Sequence, residues 1–98
     1  MNAEELKELF ETHSDKYGKF KEIVKSPFSK RADLHAFILL DKLIQDESDI
    51  VSAAEHDTIY LDVDFEMLAE VITEEQVIEL ASCGVFVDDE EDCLRMFA

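Results

Sequence analysis

The sequence predicts an α+β domain, with helices in residues 1–45 and with antiparallel strands and short helices in residues 46–98. Three observations support this class. Apolar residues in the first half recur at helical spacing. In the second half the spacing changes to the two-residue period of a strand, and the strands form two pairs. The length of 98 residues suits a single domain with one hydrophobic core.

Two helices are predicted before Pro27, the only proline. The first begins at Asn2, a favourable N-cap residue, and its apolar face is formed by Leu6, Leu9, Phe10 and His13. The second has an apolar stripe formed by Tyr17, Phe20, Ile23 and Val24. Gly18 weakens this second prediction, because a glycine inside a helix costs about 1 kcal/mol.

A third helix is predicted from Ala32 to about Gln45, after the break that Pro27 imposes. Its apolar positions cover nearly the whole circumference: Leu34, Ala36, Phe37, Ile38, Leu39, Leu40, Leu43 and Ile44. A helix that is apolar almost all round is usually buried in the centre of a domain. Only His35, Asp41 and Lys42 mark a narrower hydrophilic side.

The second half predicts a β-hairpin, two short helices and a second β-hairpin. The first hairpin pairs Ile50–Ala54 with Thr58–Val63, and the second pairs Val85–Val87 with Cys93–Phe97. In Thr58–Val63 the apolar and polar residues alternate, which is typical of a strand with one buried face.

Local signals place the ends of the two short helices between the hairpins. Asp64 is a favourable N-cap for the first helix, and Thr73–Gln76 has the capping-box pattern for the second. Gly84 suits the left-handed position that follows a helix. The whole chain is therefore expected to form one domain, without an internal boundary.

The charge of the chain is distributed unevenly. The formal net charge is −16, from 25 Asp+Glu and 9 Lys+Arg. Residues 1–45 carry eight residues of each sign, whereas residues 46–98 carry 17 acidic residues and one basic residue, Arg95. This balance argues against direct nucleic-acid binding through a basic face and against attraction to an anionic membrane.

Two acidic clusters are the candidate partner-binding residues. One is the run Asp88, Asp89, Glu90, Glu91 and Asp92, and the other comprises Asp62, Asp64, Glu66 and Glu70. No Lys or Arg is interleaved in either cluster, so both favour a surface that binds a basic partner protein. Such a surface can imitate a phosphate backbone and occupy the groove of a nucleic-acid-binding protein. The alternative is a solvated surface that only maintains solubility.

No catalytic, metal-binding or cofactor-binding residues are predicted. His13, His35 and His56 are far apart in sequence, and the chain lacks Cys-x-x-Cys and His-x-x-x-His spacings as well as an EF-hand loop. Two glycines do not suffice for a phosphate-binding loop. Cys83 and Cys93 are expected to be reduced, buried thiols, with a disulfide between them as the alternative.

The expected location is the cytoplasm. The N-terminus has no apolar run of the secretory type, and no apolar stretch approaches the roughly 20 residues that span a bilayer.

Several short strings of this sequence carry a resemblance: Leu34–Phe37, Asp41–Leu43, Ile50–Asp57, Thr73–Gln76, Cys83–Val85 and Asp92–Leu94. Together they resemble small acidic accessory proteins of bacteriophages and prophages, whose functions are mostly unassigned. The resemblance covers residues 30–98 and includes no motif with a known chemical role. It implies a setting in the bacterial host cell, where such proteins sometimes block host defence proteins or nucleic-acid enzymes.

These observations predict a non-enzymatic acidic protein that binds a basic partner, as a nucleic-acid mimic or as an inhibitor of a host nucleic-acid-binding or defence protein. The alternative is a homo-oligomeric structural phage protein whose acidity serves only solubility.

Overall fold

The computed structural model describes residues 1–45, 50–55, 57–88 and 93–97. The N-terminal half contains α1 (Ala3–Thr12), a single 3-10 turn (Ser14–Lys16), α2 (Phe20–Ile23) and α3 (Ala32–Leu43). The other half contains β1 (Val51–Glu55), β2 (Thr58–Leu61), α4 (Phe65–Val71), α5 (Glu74–Ser82), β3 (Val85–Asp88) and β4 (Cys93–Phe97). The predicted α+β class and the order hairpin, two helices, hairpin are confirmed.

The four strands form one antiparallel sheet in the order β1-β2-β4-β3. The central pairing of β2 with β4 joins the two hairpins, so each hairpin supplies one edge strand. Across the sheet, Tyr60 lies opposite Arg95, which lies opposite Phe86. The next row aligns Ile59, Met96 and Val85. Because side chains alternate between faces along a strand, these two rows point to opposite sides.

The row of Ile59, Met96 and Val85 belongs to the inner face of the sheet, which joins the hydrophobic core. Helix α5 packs against α1, α2, α3, the 3-10 turn and β3, and it therefore occupies the central position among the helices. Helix α3 is buried over one face only, which is formed by His35, Ala36, Leu39 and Leu40, while Leu34 is exposed. Its burial is thus narrower than its apolar composition predicts.

Three expectations for the N-terminal half are wrong in detail. Gly18 has φ of +86°, so the chain turns there and the predicted second helix is divided into the 3-10 turn and α2. His35 is not on a hydrophilic side of α3, because it is 1% exposed. The third predicted helix, α3, also ends at Leu43 rather than near Gln45.

The predicted starts of α1, α4 and α5 are confirmed by their hydrogen bonds. Asn2 and Glu5 form a capping box at α1, and Thr73 and Gln76 form another at α5. The Asp64 carboxylate accepts hydrogen bonds from the first backbone amides of α4. At the end of α5, Gly84 adopts the expected positive φ, +94°.

The two cysteines are free, and the sheet register separates them. Cys93 lies opposite Asp88 at one end of the β3–β4 hairpin, whereas Cys83 precedes Val85 at the other end. Three residues of extended strand span about 10 Å, and a disulfide requires Cα atoms within about 7 Å. The disulfide alternative is therefore contradicted; Cys83 is buried as predicted, and Cys93 is partly exposed. In the described part of the chain, no helix has the length and apolar character needed to cross a membrane.

Candidate protein-binding surface

The second acidic cluster lies at the start and on the outward face of α4. Asp62 and Asp64 lie in the connection from β2 to α4, and Glu66 and Glu70 lie one helical turn apart on α4. All four are exposed, and among the described residues no Lys, Arg or His forms an ion pair with them. The structure thus leaves four exposed carboxylates on one short segment of surface, without an ion pair to a described Lys, Arg or His side chain.

Helix α4 also exposes two apolar side chains, Met67 and Val71, four residues apart. They alternate along the helix with Glu66 and Glu70, because the buried face is taken by Phe65, Leu68 and Ala69. We call the group of Asp62, Asp64, Glu66, Met67, Glu70 and Val71 the α4 surface. Sequence reasoning missed its apolar members, although Met67 and Val71 are four residues apart and therefore share one face of a helix.

A shallow cleft borders the α4 surface on the side of α1. It is lined by Asp64 and Glu66 together with Lys7, whose ammonium group lies 5.0 Å from the centre of the Phe65 ring. Lys7 therefore places one positive charge at this edge, while Glu70 lies one turn further along α4.

The sequence predicted Asp88, the first residue of the other acidic cluster, to be part of a binding surface, but the structure buries it. Asp88 is 8% exposed and lies in β3, where its Oδ2 atom accepts a hydrogen bond of 2.8 Å from Nη1 of Arg95. The two residues are diagonal neighbours on adjacent strands, a geometry that only the register of the sheet produces. Asp88 is therefore excluded from the partner-binding residues, while Asp89, Glu90, Glu91 and Asp92 lie outside the described residues.

Arg95 is enclosed by two aromatic rings in addition to its ion pair. Its guanidinium carbon lies 5.0 Å from the centre of the Tyr60 ring and 5.3 Å from that of Phe86. Its Nη2 donates a hydrogen bond of 3.3 Å to the hydroxyl of Thr58. Arg95 thus connects β2, β4 and β3 on the outer face of the sheet.

Two histidines from the N-terminal half bind carboxylates of α5. Nε2 of His13 lies 3.0 Å from Glu74, and Nε2 of His35 lies 3.2 Å from Glu79. Nδ1 of His35 accepts a hydrogen bond from the backbone amide of Phe28. Because Nδ1 accepts this bond, the proton of the neutral imidazole is on Nε2, which donates it to Glu79. These contacts join the N-terminal half of the chain to α5. His56 lies outside the described residues.

The described residues contain no group of three His, Cys, Asp or Glu side chains arranged to hold a metal ion. Burial, reinforced by the negative charges of Glu79 and Asp33, raises the pKa of the Cys83 thiol to about 11. This thiol is therefore protonated at neutral pH and is a poor nucleophile. A hydrogen bond from Arg31 lowers the pKa of Asp33, which keeps that carboxylate ionised.

Comparison of the chain with protein-family models, with curated proteins and with solved structures finds no match.

Proposed function

We propose that this protein acts without catalysis, by binding a basic partner protein through the α4 surface. The observation that carries the proposal is the combination of exposed carboxylates with exposed apolar side chains on the same short helix. Apolar side chains supply contact area at the centre of an interface, and the surrounding charges select the partner and accelerate association.

The partner we propose is a protein with a basic groove that normally receives nucleic acid. The acidic half of the chain has 17 carboxylates and one basic residue, and that residue, Arg95, is already paired with Asp88. A surface of one sign attracts the same lysine and arginine side chains that bind phosphates. A host defence or nucleic-acid-binding protein of a phage-infected bacterium is such a partner.

The proposal is tested by quantitative capture of proteins from a bacterial lysate. The wild-type protein is compared with a variant in which Asp62→Asn, Asp64→Asn, Glu66→Gln and Glu70→Gln are combined. Asparagine at position 64 retains the helix cap. We expect the variant to lose a basic protein that the wild type retains, and raised salt to release that protein from the wild type.

A matched control variant changes the net charge by the same amount in the other half of the molecule. Glu4→Gln, Glu8→Gln, Glu11→Gln and Asp41→Asn alter four exposed carboxylates on α1 and α3. We expect this control to retain the partner. Equal loss in both variants would show that only net charge matters, and retention in both would contradict the α4 surface. Competition of the captured partner with duplex DNA then tests the mimicry.

A further inference from the structure

A row of aromatic side chains crosses the outer face of the sheet and continues to the 3-10 turn. Phe86 stacks on Phe97 with ring centres 4.7 Å apart, and Phe97 contacts Tyr17 at 4.9 Å. Tyr60 continues the row on the other side of Arg95. Tyr17 is 55% exposed and Phe97 is 46% exposed, so one end of the row is open to solvent.

The open end of the row borders a cleft of about 350 Å³, which we call the aromatic cleft. Its walls are the rings of Tyr17, Phe86 and Phe97, and its lining is completed by Ser14, Ala81, Gly84 and Val85. None of these lining residues is charged. Glycine at position 84 allows the Tyr17 ring to lie against the backbone, because a Cβ atom there would be 2.7 Å from that ring.

At its other end, where Tyr60 lies, the row already binds a cation, the guanidinium of Arg95. The guanidinium of Arg95 lies between the rings of Tyr60 and Phe86, at 5.0 and 5.3 Å from their centres. Phe86 belongs to both ends, since it contacts Arg95 and Phe97. The faces of such rings are electron-rich and attract cations, and the weakly hydrated, planar guanidinium stacks on them better than an ammonium group.

We infer that the aromatic cleft receives an arginine side chain of a basic partner protein. This inference rests on the proposed function, because it names a second contact with the same partner. The net charge of −16 supports this occupant, since it concentrates cations near the surface and opposes the approach of a second copy of the chain. The lining of the aromatic cleft contains no charged residue, and although Arg95 already stacks on Phe86, the exposed rings of Tyr17 and Phe97 remain open to a second cation.

The probe for this inference is an octa-arginine peptide, with an octa-citrulline peptide as its uncharged counterpart. Binding is measured by isothermal titration calorimetry, and aromatic NMR spectra report which rings respond. We expect the arginine peptide to shift the ring signals of Tyr17 and Phe97. Tyr17→Leu and Phe97→Leu are each expected to weaken binding about two- to fivefold, the range for cation–π contacts at exposed sites.

The matched control is Phe28→Leu, which removes another exposed ring on the N-terminal side of α3. We expect it to leave binding of the arginine peptide unchanged. Both cleft variants alter exposed side chains, and thermal unfolding confirms that each protein is folded before titration.

The outcomes separate this inference from the proposed function. If the cleft variants bind the arginine peptide as the wild type does while the combined α4 variant binds it weakly, the aromatic cleft is wrong and the α4 surface stands. If the reverse holds, the cleft is supported and the α4 surface fails. Equal binding of the citrulline peptide overturns the choice of a cation. If sedimentation shows a dimer that the cleft variants abolish, the occupant of the aromatic cleft is a second copy of the chain, and the inference of an arginine side chain is wrong.

Discussion

Arg95 and Asp88 form an ion pair of 2.8 Å between Nη1 and Oδ2 on the outer face of the sheet. Arg95 is the only basic residue after position 45, and the structure engages it with a carboxylate from the neighbouring strand. The one positive charge of the acidic half therefore holds β3 to β4. It is therefore engaged away from the carboxylates of the α4 surface.

Replacement of this arginine is expected to destabilise the fold. Arg95→Met keeps much of the side-chain volume but leaves the nearly buried Asp88 carboxylate without its guanidinium. We expect the free energy of unfolding to fall by about 2 kcal/mol, which is less than the roughly 3–5 kcal/mol for a fully buried pair because the Arg95 side chain is partly exposed. Urea denaturation monitored by circular dichroism measures the change.

The control for this prediction is the double variant Arg95→Met with Asp88→Asn. It removes both charges, so it is expected to be more stable than Arg95→Met alone. A double variant that is less stable than the single variant would show that Asp88 has a stabilising role independent of Arg95.

The two histidines that bind α5 are expected to differ in their contribution to stability. His35 is buried and bonded at both ring nitrogens, so His35→Leu should cost about 2 kcal/mol. His13 pairs with the exposed carboxylate of Glu74, so His13→Leu should cost less than about 1 kcal/mol. Equal costs in urea denaturation would contradict the assigned roles. Nitrogen-15 NMR should also find the His35 proton on Nε2.

The two glycines with positive φ provide a matched comparison of backbone strain and side-chain crowding. Gly18→Ala and Gly84→Ala should each cost about 1–2 kcal/mol, because left-handed backbone disfavours a Cβ atom. A Cβ at Gly18 meets no atom within 4 Å, whereas one at Gly84 lies 2.7 Å from Tyr17. Gly84→Ala is therefore expected to cost about 1 kcal/mol more and to displace the Tyr17 ring. Identical unfolding midpoints and an unchanged Tyr17 NMR signal would contradict this contact.

Cys83 is expected to make stability decrease at alkaline pH. Burial raises the pKa of its thiol from 9.0 to about 11, so the folded protein keeps a proton that the unfolded chain releases. Unfolding is therefore favoured as pH rises through this window, by an amount on the order of 2 kcal/mol. Unfolding midpoints measured across this range should fall more steeply for the wild type than for Cys83→Ala. The folded wild type should also react slowly with iodoacetamide at Cys83 near neutral pH.

Local signals in the sequence predicted most elements of this fold. Asn2, Asp64 and Thr73 cap the helices that they were expected to cap, and the period-two pattern of Thr58–Leu61 marks a strand. Each of these signals acts between residues a few positions apart, so it is readable without knowledge of the fold. The exposed carboxylates of α4 follow from the same reasoning, since the apolar face of the helix leaves them outward.

The sequence by itself thus determined the α+β class, the starts of α1, α4 and α5, and the confinement of the excess charge to residues 46–98. The tertiary structure alone decided that Asp88 is buried and paired with Arg95. The contact of Arg95 with Thr58 joins residues 37 positions apart, and it depends on the register between β2 and β4. The register between β3 and β4 likewise places Phe86 opposite Arg95 and Asp88 diagonal to it, because pairing across strands, rather than spacing along the chain, brings these side chains together.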